Sequence, residues 1–224
     1  MRYARIMYAR IVGVTGVAIL WTAFAAGAAD LPGCTAPAGF QDNPHPAITP
    51  MDQLVSHTEE VVIGRPLVAV AEAMDKPLKE TIRQSKALPG VSGDFMLTKG
   101  AFGPAGSRHI VCLTDGGSVE EESLDRGQSG NAAWFRYIVW NYRTPKARPI
   151  AYGVGEFRTV QIDNTHTRVT WTYSFRLKED VFPGELGARG QWLFRVGFLD
   201  REYAAMMRGV LEGYKTAAET LSRP

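Results

Sequence analysis

The residues of this 224-residue chain best suited to chemistry are an acidic run, Glu120-Glu121-Glu122, and a set of large aromatic side chains spread over its second half. In an extended strand successive side chains point to opposite faces, so Glu121 faces away from Glu120 and Glu122. With Val119 and Glu121 inward, one carboxylate stands in apolar surroundings; in the other register, two do. A carboxyl group stripped of water has a raised pKa and can act as a general acid or base near neutral pH. The plainer reading is an inward carboxylate paired with an arginine, Arg136 or Arg158 on a neighbouring strand, or a solvated charged face with no role. Glu121 and Tyr137 are the candidate acid–base pair. Phe135, Tyr137, Tyr152, Trp171, Tyr173 and Phe175 on strand-like segments, with Tyr203 and Met207 on a helical one, are with Glu121 the candidate ligand-binding residues. Such side chains hold a ring or a chain with their apolar bodies, and the tyrosines can orient one oxygen with a polar tip. For most of these positions taken singly, a plain core is the competing reading.

Other chemistries find no support. The four histidines are His45, His57, His109 and His166; no two of them stand at i, i+2 or i, i+4, and no converging set of two or three metal ligands is established around any of them. His109 reads as a strand histidine on the outer face or held by a hydrogen bond, with a ligand-facing or acid–base role as the alternative. No phosphate-binding loop, dinucleotide fingerprint, zinc-protease helix or C-x-x-C pair occurs, so no metal and no cofactor is expected. Gly127-Gln128-Ser129-Gly130 lies between two strand-like segments, which is a hairpin and not the strand-to-helix turn of a nucleophile elbow.

These residues are carried by a simple order of elements. Residues 29–52 hold Pro32, Pro37, Pro44, Pro46 and Pro50 and read as an extended lead-in; the folded domain is expected over 53–224. Ser56–Ile63 is strand-like and ends at Gly64. Pro66 and Pro77 each suit the first turn of a short helix, and Pro77 would break a continuous one. Six strand-like segments follow over 91–99, 107–113, 118–126, 131–141, 150–163 and 166–177, joined by turn sequences such as Asp115-Gly116-Gly117 and Asn164-Thr165, the signature of antiparallel hairpins. In the last, Val169, Trp171, Tyr173, Phe175 and Leu177 alternate with Arg168, Thr170, Thr172, Ser174 and Arg176, putting the first set inward and the second in solvent. Residues 191–221 form a long amphipathic helix whose stripe runs Tyr203, Met206, Met207, Val210, Tyr214, Ala217, Leu221. With no later element to pack on, that stripe must cover the sheet. The expected fold is therefore α+β: a helix-grip in which a curved, seven-stranded antiparallel sheet wraps round a long C-terminal helix, with two short helices after the first strand. The hollow is expected to keep a gap that side chains do not fill, which is where a small molecule would lie.

The N-terminus and the charge bear on place and partners. Arg2, Arg5 and Arg10 precede an uncharged run over 11–29 that ends in Ala26-Gly27-Ala28, the three parts of a cleavable secretory signal over residues 1–28. The alternatives are an uncleaved membrane anchor and, from Leu31-Pro32-Gly33-Cys34, lipidation at Cys34. Cleavage places the protein in the periplasm or outside the cell. Removing three arginines takes 25 basic residues to 22 against 23 acidic ones, so the basic character of the precursor says nothing about nucleic acid, and no basic stripe with interleaved aromatics is present. Nucleic acid is not an expected partner; a hydrophobic small molecule or lipid is, and peripheral membrane contact stays open. Cys34 and Cys112 either form a bridge tying the lead-in to the domain or remain an unpaired and a buried thiol.

Several phrases, in order, resemble the START-like superfamily, also called SRPBCC, with its polyketide cyclase/dehydrase and lipid-transport members. They are Leu88-Pro89-Gly90-Val91; Gly103-Pro104-Ala105-Gly106-Ser107-Arg108; Leu113-Thr114-Asp115-Gly116-Gly117 with the three glutamates; residues 134–139 (WFRYIV); and residues 167–173 (TRVTWTY) ahead of the last helix. The resemblance covers roughly Ser56 to Leu221 and implies a helix-grip domain that holds a hydrophobic or aromatic molecule, either as an exported carrier or as a cyclase/dehydratase-like enzyme. The export signal departs from many cytosolic members.

Overall fold

The computed structural model describes residues 33–85 and 87–220; the signal or anchor expected over 1–28, and Leu221, lie outside the described residues. Among the described residues no helix is long and apolar enough to cross a membrane.

Strands β1 (Val55–Ile63), β2 (Val91–Met96), β3 (Arg108–Leu113), β4 (Ser118–Ser129), β5 (Ala132–Trp140), β6 (Ile150–Gln161) and β7 (Thr167–Leu177) form one antiparallel sheet in the order β1-β7-β6-β5-β4-β3-β2. Strands β2 to β7 pair with their chain neighbours, as short turns dictate, and β1 closes the far side of β7 with His57 opposite Tyr173. The β6–β7 turn is held by Asp163, whose carboxylate accepts the backbone N–H groups of Thr165 and His166 at 2.7 and 2.8 Å. Between β1 and β2 the chain forms α1 (Leu67–Met74) and α2 (Leu78–Thr81), each entered through a proline, Pro66 or Pro77. The second helix is a single turn, shorter than the eight residues after Pro77 suggest.

The inward set of β7 is as expected: Val169, Trp171, Tyr173, Phe175 and Leu177 are all buried, facing the C-terminal helix. That helix begins at α3 (Ala188–Phe194), passes through a π-helical run (Arg195–Tyr203) and ends in α4 (Ala204–Thr220). Met207, Val210, Leu211, Tyr214 and Ala218 form its buried stripe, with Tyr203, Met206 and Ala217 along the margin.

The outer face departs from expectation. Over β5 and β6 it is covered by the proline-rich lead-in, not by solvent. Leu54, Ile138, Trp140, Tyr152 and Val154 make a second apolar cluster, with Ile48 of the lead-in against it. The segment is pinned by a Cys34–Cys112 disulfide, which decides between the two cysteine readings, and by Arg108, which reaches Asp42 at 2.6 Å and the Asn43 carbonyl at 2.9 Å. Closely spaced prolines disfavour helix and keep the segment extended, so it lies flat across the strands. Ser174, on the outward set of β7, is also buried, hydrogen-bonded to Ser56 at 2.7 Å.

Candidate functional site

The concave face of the sheet has a floor without side chains. Gly153 and Gly155 occupy successive inward positions of β6, between Tyr137 on β5 and Tyr173 on β7, both of which stand opposite Gly155. The two phenol rings fold over the glycines. A β-carbon at Gly155 would lie 2.2 Å from Tyr137 Cζ, and one at Gly153 would lie 2.6 Å from Tyr173 Cε1 and 3.0 Å from the Tyr142 hydroxyl. Around this floor the rings run in continuous contact. Phe135 lies 5.3 Å from Tyr137 between centroids, Phe157 is stacked on Trp171 at 4.7 Å, and Tyr203 closes over Tyr173 at 4.8 Å from the helix side. Met207 and Tyr214 of α4 complete the roof.

Beside the aromatic floor stands a row of charge. Val119 and Glu121 point inward, so a single carboxylate of the acidic run enters the interior, and its pairing partner in the sheet is His109. Glu121 Oε2 lies 3.4 Å from His109 Nε2, and Asp94 Oδ2 on β2 lies 3.5 Å from His109 Nδ1. Neither contact is aligned as a hydrogen bond; both are ion-pairing distances. Phe102 lies flat on the imidazole at 3.9 Å and seals it from water. Burial pushes the imidazole pKa down, but the combined pull of Asp94 and Glu121 outweighs it and raises His109 from 6.5 to about 9. Burial also drives the phenols of Tyr137, Tyr142, Tyr173 and Tyr203 well above their usual 10 and that of Tyr214 to about 12. The negative charge of Glu121 adds to the effect on all of these but Tyr173.

Besides the His109 nitrogens, the Trp171 indole Nε1–H and the Tyr142 hydroxyl make no well-aligned hydrogen bond: the indole faces the Tyr137 phenol and the Tyr142 hydroxyl faces that of Tyr173. Trp171 is 2 % exposed, so water does not satisfy it from outside. Nearly all buried polar groups are paired, and an unpaired one calls for an explanation.

The side chains fill more of the hollow than its curvature suggests, because two glycines let the tyrosine rings lie down into it. Two concavities of the described residues lie outside the aromatic interior. The larger, about 260 Å³, is a cleft at one end of the sheet lined by Gln53, Phe175, Arg176, Leu177, Glu179, Gly184, Glu185, Gly187 and Gln191; it touches the interior at Phe175.

Of the candidate residues, Glu121, Phe135, Tyr137, Trp171, Tyr173, Phe175, Tyr203 and Met207 all face or border this interior. Tyr152 does not. It belongs to the outer cluster, where its hydroxyl accepts the Thr49 backbone N–H at 2.9 Å, because its strand partner is outward-facing Trp140. The partner of the inward carboxylate is also corrected. Arg136 reaches the Met51 sulfur and Arg158 pairs with Glu156 on exposed surface, whereas His109, for which an outer-face or hydrogen-bonded position and a ligand-facing one were both expected as alternatives, points inward. Asp94, Phe102 and Tyr142 went unnoticed. Asp94 carried a signal in retrospect, since it alternates with Met96 on the strand that pairs with His109. Among the described residues, no group of three His, Cys, Asp or Glu could hold a metal ion.

No family model matches the sequence. No curated protein matches it either. Solved structures do. A hypothetical protein from Helicobacter pylori superposes with a TM-score of 0.55 at 12% identity, covering 80% of this chain and 99% of the other. The Zhui aromatase/cyclase from Streptomyces superposes at 0.51 with 14% identity, covering 75% and 95%. The di-domain ARO/CYC StfQ from the steffimycin pathway gives 0.52 with 16% identity, covering 75% of this chain and 52% of that longer one. Identities this low speak for the fold alone. With a seven-stranded antiparallel sheet, two short helices after its first strand and a long helix in the hollow, the chain has the α+β helix-grip fold that these solved structures share.

Proposed function

We propose that the protein binds an apolar molecule with a polar end between sheet and helix, as an exported carrier or binding protein. The observation that carries this is a pair of buried polar atoms, Trp171 Nε1–H and Tyr142 O–H, that meet the neighbouring phenols without a well-aligned hydrogen bond inside an otherwise closed aromatic interior. A ligand oxygen would accept from the indole, and the ligand's apolar body would take the place of rings that now lie on Gly153 and Gly155. The π-helical run bears on the same region, because Tyr203 at its end covers Tyr173; such runs often accompany functional sites. Aromatase/cyclases share the fold, which is compatible with this reading without requiring it.

The competing reading is a cyclase/dehydratase-like enzyme using Glu121 and Tyr137. General acid–base groups work best with pKa values near the operating pH. Burial and the charge of Glu121 push the Tyr137 phenol well above 10, so through neutrality it keeps its proton and would act in such a pair as the donor.

Mass spectrometry under native conditions on protein purified from its own host tests the proposal. A co-purifying apolar compound, lost on unfolding and reduced in Trp171→Phe, is the expected result. Protein of bare chain mass, together with no uptake of any apolar probe in titration, would overturn it.

A further inference from the structure

We propose, resting on that reading, that the polar end of the ligand is a positively charged nitrogen and not a carboxylate. Asp94, His109 and Glu121 form a row of two carboxylates about one imidazole, and the inner end of the row is Glu121. His109 is the only ion-pair partner of Glu121 among the described residues, and it is shared with Asp94. With the imidazole protonated, the row keeps one negative charge in excess. Asp94 stands at the more open end, 30% exposed, and Glu121 at the closed end, 9% exposed, so the less screened carboxylate is the one facing the aromatic interior.

The surroundings of Glu121 suit a cation and oppose an anion. The tyrosines at 137, 142, 203 and 214 all lie within the electrostatic reach of its carboxylate. Their rings, with Phe135, Phe157 and Trp171, offer π-faces that attract an ammonium, most strongly where water is excluded. A fatty acid would instead bring a second negative charge into a site of low dielectric that already holds one, where the basic side chain present, His109, is already shared between Glu121 and Asp94. The Trp171 N–H, poorly aligned on the Tyr137 phenol, would find a better acceptor in an amine bearing a hydroxyl, ether or carbonyl oxygen.

Three probes of equal chain length separate the possibilities: decyltrimethylammonium, decanol and decanoate, each titrated below its micelle concentration and followed by calorimetry. The ammonium is expected to bind about tenfold tighter than the alcohol, with the carboxylate weakest. In Glu121→Gln the ratio of ammonium to alcohol affinity is expected to fall to about one. The wild-type ranking needs no variant, so a Glu121→Gln protein that does not fold leaves the test intact. Decanoate binding as tightly as the ammonium, or an ammonium no tighter than the alcohol, overturns the charge assignment while the binding reading stands. If none of the three binds, the binding reading fails and this inference with it.

Discussion

The Tyr137 ring lies so closely over Gly155 that a β-carbon on the glycine would stand 2.2 Å from the phenol Cζ. The ring takes the volume a side chain would fill, which is how a strand with two inward glycines still contributes to a closed interior. Gly155→Ala therefore forces the phenol off its resting place. Overpacking of this kind costs about 1–3 kcal/mol. Urea unfolding is expected to show that loss, and the same substitution in a Tyr137→Ala background to show much less of it. Equal losses in both backgrounds would mean that the ring yields freely and that the contact does not position it.

The second prediction concerns pH. His109 has a folded pKa of about 9 against 6.5 for the unconstrained side chain, so the folded state binds the proton more tightly than the unfolded chain does. The stabilisation is complete below about pH 6.5 and is lost as pH rises through 9. The shift corresponds to a contribution on the order of 3 kcal/mol. Urea midpoints at pH 6 and pH 9.5 are expected to differ more in the wild type than in His109→Gln. A variant with the same pH dependence as the wild type would remove His109 as the origin.

How much of this was legible beforehand follows from the strength of each local signal. The order of elements was readable because turn sequences and period-two alternation recur between Val91 and Leu177, and because Pro66 and Pro77 punctuate the helices. That Glu121 shares a face with Val119 followed from parity, but which face points inward stayed open until the structure placed Val119 in the interior cluster. The direction of His109 did not follow from parity, since His109-Ile110-Val111-Cys112 shows no alternation: this strand is buried on both faces, by the interior on one side and the lead-in on the other. Tyr152 was misplaced as well. Ile150, Tyr152 and Val154 share one parity, yet Ile150 lies in the interior cluster and the other two in the outer one, because a register irregularity falls between Ile150 and Tyr152. Neither case could be resolved without knowing that a proline-rich segment covers the outside of the sheet.

That covering segment gives a third prediction. The Cys34–Cys112 bridge spans 78 residues, and closing a loop of that length lowers the entropy of the unfolded chain enough to stabilise the fold by about 4 kcal/mol. Reduction, or Cys34→Ser, is expected to lower stability by that order and to free the lead-in, exposing Trp140 and Tyr152. Limited proteolysis should then cut between residues 34 and 50 before it cuts the sheet, and the emission of Trp140 should shift to the red. Cleavage of the sheet and the lead-in at equal rates would show that the bridge holds the whole domain and not the strap alone.

The last prediction addresses where an apolar ligand would enter. Phe182, Leu186, Trp192, Leu193 and Val196 are all exposed, although most large apolar side chains of this fold are not, and Phe182 and Trp192 are about 60% open to solvent. On the helix, Trp192, Leu193 and Val196 share one face by their spacing, and Arg189 stands one turn before them. The loop and helix that carry this patch also line the 260 Å³ cleft that reaches Phe175, through Gly184, Glu185, Gly187 and Gln191. Tryptophan with neighbouring apolar side chains and an arginine is a composition that partitions into the headgroup region of a bilayer. Trp192 makes no contact with the aromatic floor, so Trp192→Glu is expected to leave thermal unfolding unchanged. The same substitution is expected to reduce co-sedimentation with phosphatidylcholine vesicles by about tenfold, and indole emission of the wild type should shift to the blue on adding them. Vesicle binding that survives Trp192→Glu, or no binding by the wild type, would mean that a ligand reaches the cleft through water and not from a membrane surface.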